Sequence, residues 1–248
     1  MGIAPSYDTI GIGYTAVRRE DPRIGARLRA ALGDARTVLN VGAGAGSYEP
    51  ADLEVTAVEP SRVMRDQRPP GSVPAIDARA EDLPFPDDTF DAAMAVLTDH
   101  HWRDHERGLA ELRRVTRTRI VLFTWDPRTA NESWVVRDYF PGFVRFCPRL
   151  VAVEETLERL GGGRIEVVPV PHDCRDGFFH AYWRRPEAYL EPHVRAGISV
   201  FSRLTPKEVE EGVARLRTDL ASGEWRRRHA DLLELEELDL GYRLLVAG

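Results

Sequence analysis

Thr37-Val38-Leu39-Asn40-Val41 runs straight into Gly42-Ala43-Gly44-Ala45-Gly46, and this junction decides how the rest of the chain is read. The first five residues form a short apolar strand. The glycines lack Cβ atoms, so their backbone can turn sharply, approach a ligand closely and present N–H groups to it. A helix is expected to follow, with its N-terminus beside those groups. In open sheets of this kind the ligand sits beyond the carboxyl ends of the strands.

Spacing narrows the ligand. The chain reads Gly-x-Gly-x-Gly, whereas a dinucleotide fingerprint wants a third small residue one position later, where Ser47 is only tolerable. Residues 54–59 read as the next strand, ended by Pro60. Glu59 closes that strand, and a carboxylate there can accept hydrogen bonds from both hydroxyls of a ribose. A bound adenosine is expected, and the spacing leaves open which one.

Working outward, Asp21-Pro22 reads as an N-cap followed by proline at the first helical position. The helix after it places Ile24, Leu28, Ala31 and Leu32 on one face and stops near Gly33. Residues 73–76 are the weakest strand candidate. Residues 90–97 form a fourth, apolar enough to be buried on both faces. A charged amphipathic helix over 104–117 precedes a fifth strand at 119–125, and residues 165–170 suggest a sixth. The region 176–234 is largely helical by pattern, with starts at Pro186, Pro192 and a capping box at Thr205-Pro206-Lys207-Glu208. Strand character returns at 240–246. The expectation is an α/β chain, with a Rossmann-like, mostly parallel seven-stranded sheet, helices on both faces and a helical insertion before the last strand.

The chain has 248 residues, net charge −6 and 43% hydrophobic residues, which suits one sizeable globular domain and disfavours a nucleic-acid partner. Arginine runs at 113–114 and 226–228 are flanked by acidic residues and read as solvated helix faces. Two cysteines, Cys147 and Cys174, imply neither a disulfide framework nor a metal site. No leader-like N-terminal run occurs, and the longest apolar stretches fall far short of the roughly 18–20 residues of a membrane span. A cytoplasmic protein without a membrane partner is expected, with its oligomeric state undetermined.

Residues 38–49 resemble motif I of the class I S-adenosylmethionine-dependent methyltransferases. Val58-Glu59-Pro60-Ser61 looks like their ribose-binding acidic motif. Residues 80–91, beginning Ala80-Glu81-Asp82-Leu83-Pro84, are similar to a segment of the small-molecule branch, the type 11-like enzymes. The likeness runs from about Asn40 to Trp125 and fades beyond. It implies S-adenosyl-L-methionine as cofactor and a small-molecule methyl acceptor. It implies that Gly42, Ala43, Gly44 and Gly46 form the cofactor loop, with Asn40 supporting it. Glu59 would hold the ribose diol, Pro60 and Met64 would flank the adenine, and Ala80 with Glu81 would meet its edge. Leu97 would face the sulfonium region. Tyr14 and Arg18 resemble lid residues, with Arg18 forking onto the methionine carboxylate. On this scheme residues 1–20 are a lid segment, 21–175 the cofactor-binding core, 176–236 a substrate cap and 237–248 the final strand of one domain. Two departures stand out. Asn40 occupies a place where the family often has Asp, and Arg79 stands where Asp commonly precedes the motif's alanine.

Thr98-Asp99-His100-His101-Trp102 lies where the fourth strand feeds the ligand crevice. Methyl transfer needs close approach of the nucleophile and removal of its proton, and a histidine titrates in the useful range. His101 is the first candidate base and His100 the second. The alternative is that one histidine caps the next helix while the other packs under Trp102. His101 and His105 are four apart, but without a third ligand no metal is expected. Trp102, Trp134, Tyr139, Phe140, Phe143 and Phe146 either line an aromatic pocket or serve as core and lid. The stretch 176–185, with Phe178, Phe179, His180, Tyr182 and Trp183, carries the same two readings. Besides a small-molecule methyltransferase, the sequence admits an RNA or protein methyltransferase, or a non-catalytic nucleotide-binding regulator.

Overall fold

The computed structural model describes residues 14–248, and the side chains of residues 14, 148 and 149 lie outside that description. Seven strands form one sheet: β1 (Thr37–Val41), β2 (Glu54–Val58), β3 (Ala75–Ile76), β4 (Phe90–Val96), β5 (Thr116–Trp125), β6 (Gly163–Val167) and β9 (Tyr242–Ala247). Their order is β3-β2-β1-β4-β5-β9-β6. The first five are parallel, and β9 runs antiparallel to both neighbours. A separate ribbon pairs β7 (Val170–Pro171) with β8 (Glu237–Leu238). The seven-stranded, mostly parallel expectation is met. The weakest strand is shorter than the 73–76 expected.

Alternation along the strands divides the core. Val38, Ala92, Met94, Val121, Phe123 and Leu244 face one side, with Ile24 and Leu28 of α2 (Pro22–Ala31). Leu39, Ala93, Ala95, Ile120, Leu122 and Leu245 face the other. There they meet Leu109 and Leu112 of α4 (His105–Val115), and Val153 and Leu157 of α5 (Val153–Arg159). Each such leucine or isoleucine, fully buried, contributes roughly 1.5–3 kcal/mol. Asp21 caps α2 by accepting from the Arg23 N–H, and Asp104 caps α4 by accepting from the Arg107 N–H. Neither His100 nor His101 caps α4.

The connection after β1 departs from expectation. Residues 42–53 contain turns and no helix. Gly42, Gly44, Gly46 and Tyr48 all have positive φ (69°, 53°, 93° and 65°), which interrupts any right-handed helix, and Pro50 follows at once.

A third apolar cluster forms a roof, and two stretches of chain build it. Trp134, Tyr139, Phe140 and Phe143 come from tight 3₁₀ and π turns between β5 and α5. Tyr189, Val194, Phe201 and Trp225 come from the region between β7 and β8. That second region holds α6 (Pro192–Ala196), α7 (Pro206–Ala221) and α8 (Glu224–Arg228), and the Thr205–Glu208 capping box opens α7. This cluster therefore also draws on residues 130–143, ahead of the 176–236 stretch. Among the described residues, no helix is long and apolar enough to cross a membrane.

Candidate active site

Strand register brings the sequence motifs to one edge. Val41 pairs with Val58, so Gly42 and Glu59 leave the sheet side by side. Asn40 lies between Ala57 and Met94, and Val96 pairs with Phe123. Because β9 is antiparallel, its first residue, Tyr242, lands beside Trp125 at this same edge.

The glycine loop is tied down from within. The amides of Gly42 and Ala43 both donate to the Val58 carbonyl, at 3.0 and 2.9 Å, and the Gly46 amide donates to Ala43. The Gly44 amide donates to Glu59 Oε2 (2.9 Å), and Ser61 N–H donates to Glu59 Oε1 (2.8 Å). These four glycine-loop amides are engaged inside the protein, which leaves Ala45, of residues 42–46, as the one whose N–H has no hydrogen-bond partner among the described residues. The glycines do keep side chains out of the way. A Cβ at Gly42 would overlap Thr98, and one at Gly44 would lie 3.3 Å from Met64 Cε.

Beneath the loop, Asn40 Nδ2 donates to Glu49 Oε1 (3.1 Å), and Arg68 Nη2 pairs with Glu49 Oε2 (2.6 Å). A carboxylate only accepts, so Glu49 fixes which end of the Asn40 amide is nitrogen. Asn40 Oδ1 and Arg68 Nη1 are both buried and, among the described residues, have no hydrogen-bond partner. The Arg68 guanidinium lies against the loop, 3.2 Å from where a Gly46 Cβ would stand.

Other anticipated residues fall differently. Glu59, 6% exposed, and Met64 of the short helix α3 (Arg62–Arg65) are buried at the loop, and Ala80 is buried in the core beside Leu83. Pro60 is exposed. Glu81 Oε1 accepts from the backbone of Arg103 (2.6 Å) and Asp104 (3.2 Å), so its carboxylate supports the start of α4. The Arg18 fork expected on a methionine carboxylate is taken by Asp176, at 2.5 and 3.2 Å. Tyr48 Oη donates to the same carboxylate (3.0 Å) and accepts from the Asp21 amide (3.2 Å). Tyr14 opens the short helix α1 (Tyr14–Val17), and its side chain is outside the described residues.

Beyond β4 and β5, a cavity of about 160 Å³ opens under the roof. Leu97, His100, His101, Trp102 and Arg18 line it from the sheet side; Phe143, Phe146, Phe179, His180 and Arg203 line it from above. Trp134, Tyr139 and Phe140 are instead core of the roof. Leu97 leaves β4 at φ +51°, a strained value for leucine that turns the chain sharply into Thr98.

Asp99 organises the next turn. Thr124 Oγ1 donates to its Oδ1 (2.8 Å), His105 Nε2 lies 3.4 Å from Oδ2, and His100 Nδ1 lies 3.8 Å from Oδ1. Burial alone would raise its carboxyl, but His100 and His105 outweigh that and hold it below the usual carboxylate range. The His100 and His101 rings are 4.0 Å apart. Burial first, then the charges of His100 and Arg203, push the His101 imidazole well below its ordinary value, with Asp99 opposing. His105 stacks near Trp102, at 5.8 Å, the packing place the alternative reading gave to His100 or His101.

Sequence reasoning left Asp99, Thr124, Asp176 and Tyr242 without roles. Only Asp99 carried a local signal, its place at the end of β4.

The methyltransferase domain family matches residues 39–123. A solved structure from Anabaena variabilis, named as a methyltransferase from an antibiotic biosynthesis pathway, is 36% identical, with a TM-score of 0.87 over 94% of this chain and 99% of that one. The 2-methyl-6-phytyl-1,4-hydroquinone methyltransferase 2 of Oryza sativa subsp. japonica is 31% identical over 50% of this chain and 41% of the relative. An uncharacterized methyltransferase of Mycobacterium tuberculosis is 36% identical over 41% of this chain and 44% of the relative. The matches thus span less than half the length of these two curated relatives. With the Anabaena structure covered almost end to end, and a parallel sheet closed by one antiparallel strand, the chain belongs to the class I S-adenosylmethionine-dependent methyltransferases.

Proposed function

We propose that this enzyme moves a methyl group from S-adenosylmethionine to an oxygen, nitrogen or carbon of a small molecule held in the cavity beneath the roof. The observation that carries the reading is the cavity itself, bounded by the cofactor-side strand ends and walled by aromatic side chains. Its volume is that of a site for a single small ring, since a cavity of roughly 150 Å³ can hold benzene, and the roof suits exclusion of water.

The cofactor side fits its ligand. Glu59 stands at the tip of β2, and the glycines let Thr98, Met64 and Arg68 close in against the loop. Beneath the loop, two of the buried atoms that lack a hydrogen-bond partner among the described residues are an acceptor, Asn40 Oδ1, and a donor, Arg68 Nη1. An amino-acid zwitterion offers the complementary ammonium and carboxylate. On this reading Asn40 and Arg68 hold the methionine end, Glu59 the ribose diol, and Met64 with Ala80 the adenine. When bound, the cofactor supplies an electrophilic methyl group on sulfur.

His101 is the proton acceptor in this scheme. Its depressed basicity keeps the imidazole neutral at pH 7, the form a base requires. As a proton arrives on the ring, the anionic Asp99 supplies compensating charge, and Thr124 and His105 keep that carboxylate in place.

The test measures S-adenosylhomocysteine release across a panel of small phenols, amines and carbon acids. Turnover dependent on one acceptor class is expected. For a proton-bearing acceptor, His101→Asn should lower kcat by about 10²–10⁴-fold with unchanged S-adenosylhomocysteine affinity. A preserved kcat would return His101 to packing, and failure to bind the cofactor at all would remove the reading.

A further inference from the structure

His180 has no place in the mechanism above, yet it is 2% exposed and lines the cavity. Its backbone N–H donates to Tyr242 Oη at 3.4 Å, and its Nδ1 lies 3.2 Å from the same oxygen. Its other ring nitrogen, Nε2, is buried without a hydrogen-bond partner among the described residues.

The tautomer follows from counting protons. Suppose Nδ1 carried the hydrogen and gave it to Tyr242 Oη. The tyrosine hydroxyl would then lack an acceptor, and the Nε2 lone pair would lack a donor. If the tyrosine hydroxyl instead donates to Nδ1, its oxygen still accepts the backbone N–H. A single group, Nε2–H, is then left seeking a partner. One orphan costs less than two in a buried site. Burial alone also pushes this imidazole down to about 3, so the ring stays neutral throughout the physiological range.

Aromatic faces surround that donor. Phe179 lies 4.5 Å from the His180 ring and Trp125 lies 5.8 Å from it. Phe143 packs on Trp125 at 5.4 Å and on Phe179 at 5.1 Å. These rings meet at 36–67° and form an aromatic wall beside His180, while the charged cavity residues Arg18 and Arg203 belong to other segments of the lining. An aromatic wall next to a neutral donor favours an aromatic ring that bears an uncharged oxygen acceptor.

We propose that His180 is a specificity-determining residue, whose Nε2–H, locked by Tyr242, hydrogen-bonds a neutral carbonyl or ether oxygen on an aromatic acceptor. The proposal rests on the cavity being the acceptor site.

The experiment is a ligand-observed NMR titration with S-adenosylhomocysteine present, using acetophenone and α-methylstyrene. These probes share a shape, but only acetophenone carries the accepting oxygen. Wild type should prefer acetophenone by about tenfold or more. His180→Phe should erase the preference, and His180→Gln, which retains an N–H donor, should restore part of it. Equal affinity of wild type for both probes, or a preference that survives in His180→Phe, overturns this proposal and leaves the cavity reading standing. Failure of both probes to bind wild type overturns the cavity reading and this proposal with it. Nitrogen-15 imidazole spectra of wild type give a second readout that needs no variant to fold. A protonated Nε2 is expected, and a protonated Nδ1 overturns the assignment.

Discussion

Asn40→Asp would restore the residue common in motif I, yet in this chain it should be harmful. Asn40 is 1% exposed and gives its amide hydrogen to Glu49 at 3.1 Å. The substitution removes that donor and sets a second carboxylate against the first. Two unit charges at that distance repel by about 5 kcal/mol at an effective dielectric of about 20. The protein can escape by protonating one of the pair, which at pH 7 costs about 4 kcal/mol for a carboxyl with an ordinary value near 4. Arg68, at 2.6 Å from Glu49, offsets part of this. The expected loss of stability is therefore about 2–4 kcal/mol at pH 7. The variant's added cost is the proton it must take up on folding, so the penalty shrinks by up to about 1.4 kcal/mol per unit as pH falls toward 5. Urea unfolding of both proteins at pH 5 and pH 7.5 gives the comparison. A penalty independent of pH, or no penalty at pH 7.5, would refute the argument that Glu49 dictates asparagine at this position.

Glu59→Gln should leave one of the two buried backbone donors at Gly44 and Ser61 facing an amide N–H. That costs about 1–3 kcal/mol and lowers Tm by about 2–4 °C per kcal/mol, even without ligand; differential scanning fluorimetry would expose an unchanged Tm. Asp176→Ala takes a buried carboxylate, 1% exposed, away from both Arg18 and the Tyr48 hydroxyl. A loss of about 3–5 kcal/mol is expected in urea unfolding, and less than 1 kcal/mol would show the network to be incidental. Acid should weaken the fold early. The unfolded His180 imidazole binds a proton near pH 6.5 but the folded one only near 3, so between these values the unfolded chain holds more protons. Stability then falls with pH by up to about 1.4 kcal/mol per unit, His101 acts in the same direction, and His180→Phe should flatten the slope of denaturation midpoints between pH 7 and 5.

The first five strands and the glycine loop were legible because their signals are local. Apolar runs such as residues 90–96 end at turn residues, and parallel pairing then carries Gly42, Glu59 and Leu97 to one edge. The histidine turn was legible for the same reason, since it begins where β4 stops. The helical half of the roof was legible too, through the starts at Pro192 and Pro206. The half between β5 and α5 was not, because its residues sit in 3₁₀ and π turns, which lack the period that marks an amphipathic helix, and nothing local says that two separated stretches share one cluster. The Arg18–Asp176 pair spans 158 positions, beyond the reach of any local pattern. Tyr242 could be read as the start of a strand, but its meeting with His180 depends on the antiparallel register of β9 against Trp125.

The missing helix after the glycine loop changes what the loop can contribute. A helix N-terminus there would favour an anionic ligand by about 0.3–1 kcal/mol, and its unpaired amides would add directional donors. This chain lacks the helix, and the amides of Gly42, Ala43, Gly44 and Gly46 are already paired within the protein, which leaves the N–H groups of Ala45 and Ser47 as the donors of this stretch. Charge recognition at the loop then leans on side chains, and those side chains must be held still by something other than a helix. Asn40, Glu49 and Arg68 do this by fixing one another beneath the loop. Tyr48, in its left-handed conformation, ties the same short connection to Asp21 and Asp176. That network also engages Arg18, which lines the cavity, so the glycine loop and the cavity share one set of buried bonds. A change at Asp176 should therefore be felt both at the loop and in the cavity, although Asp176 has no role in the proposed chemistry.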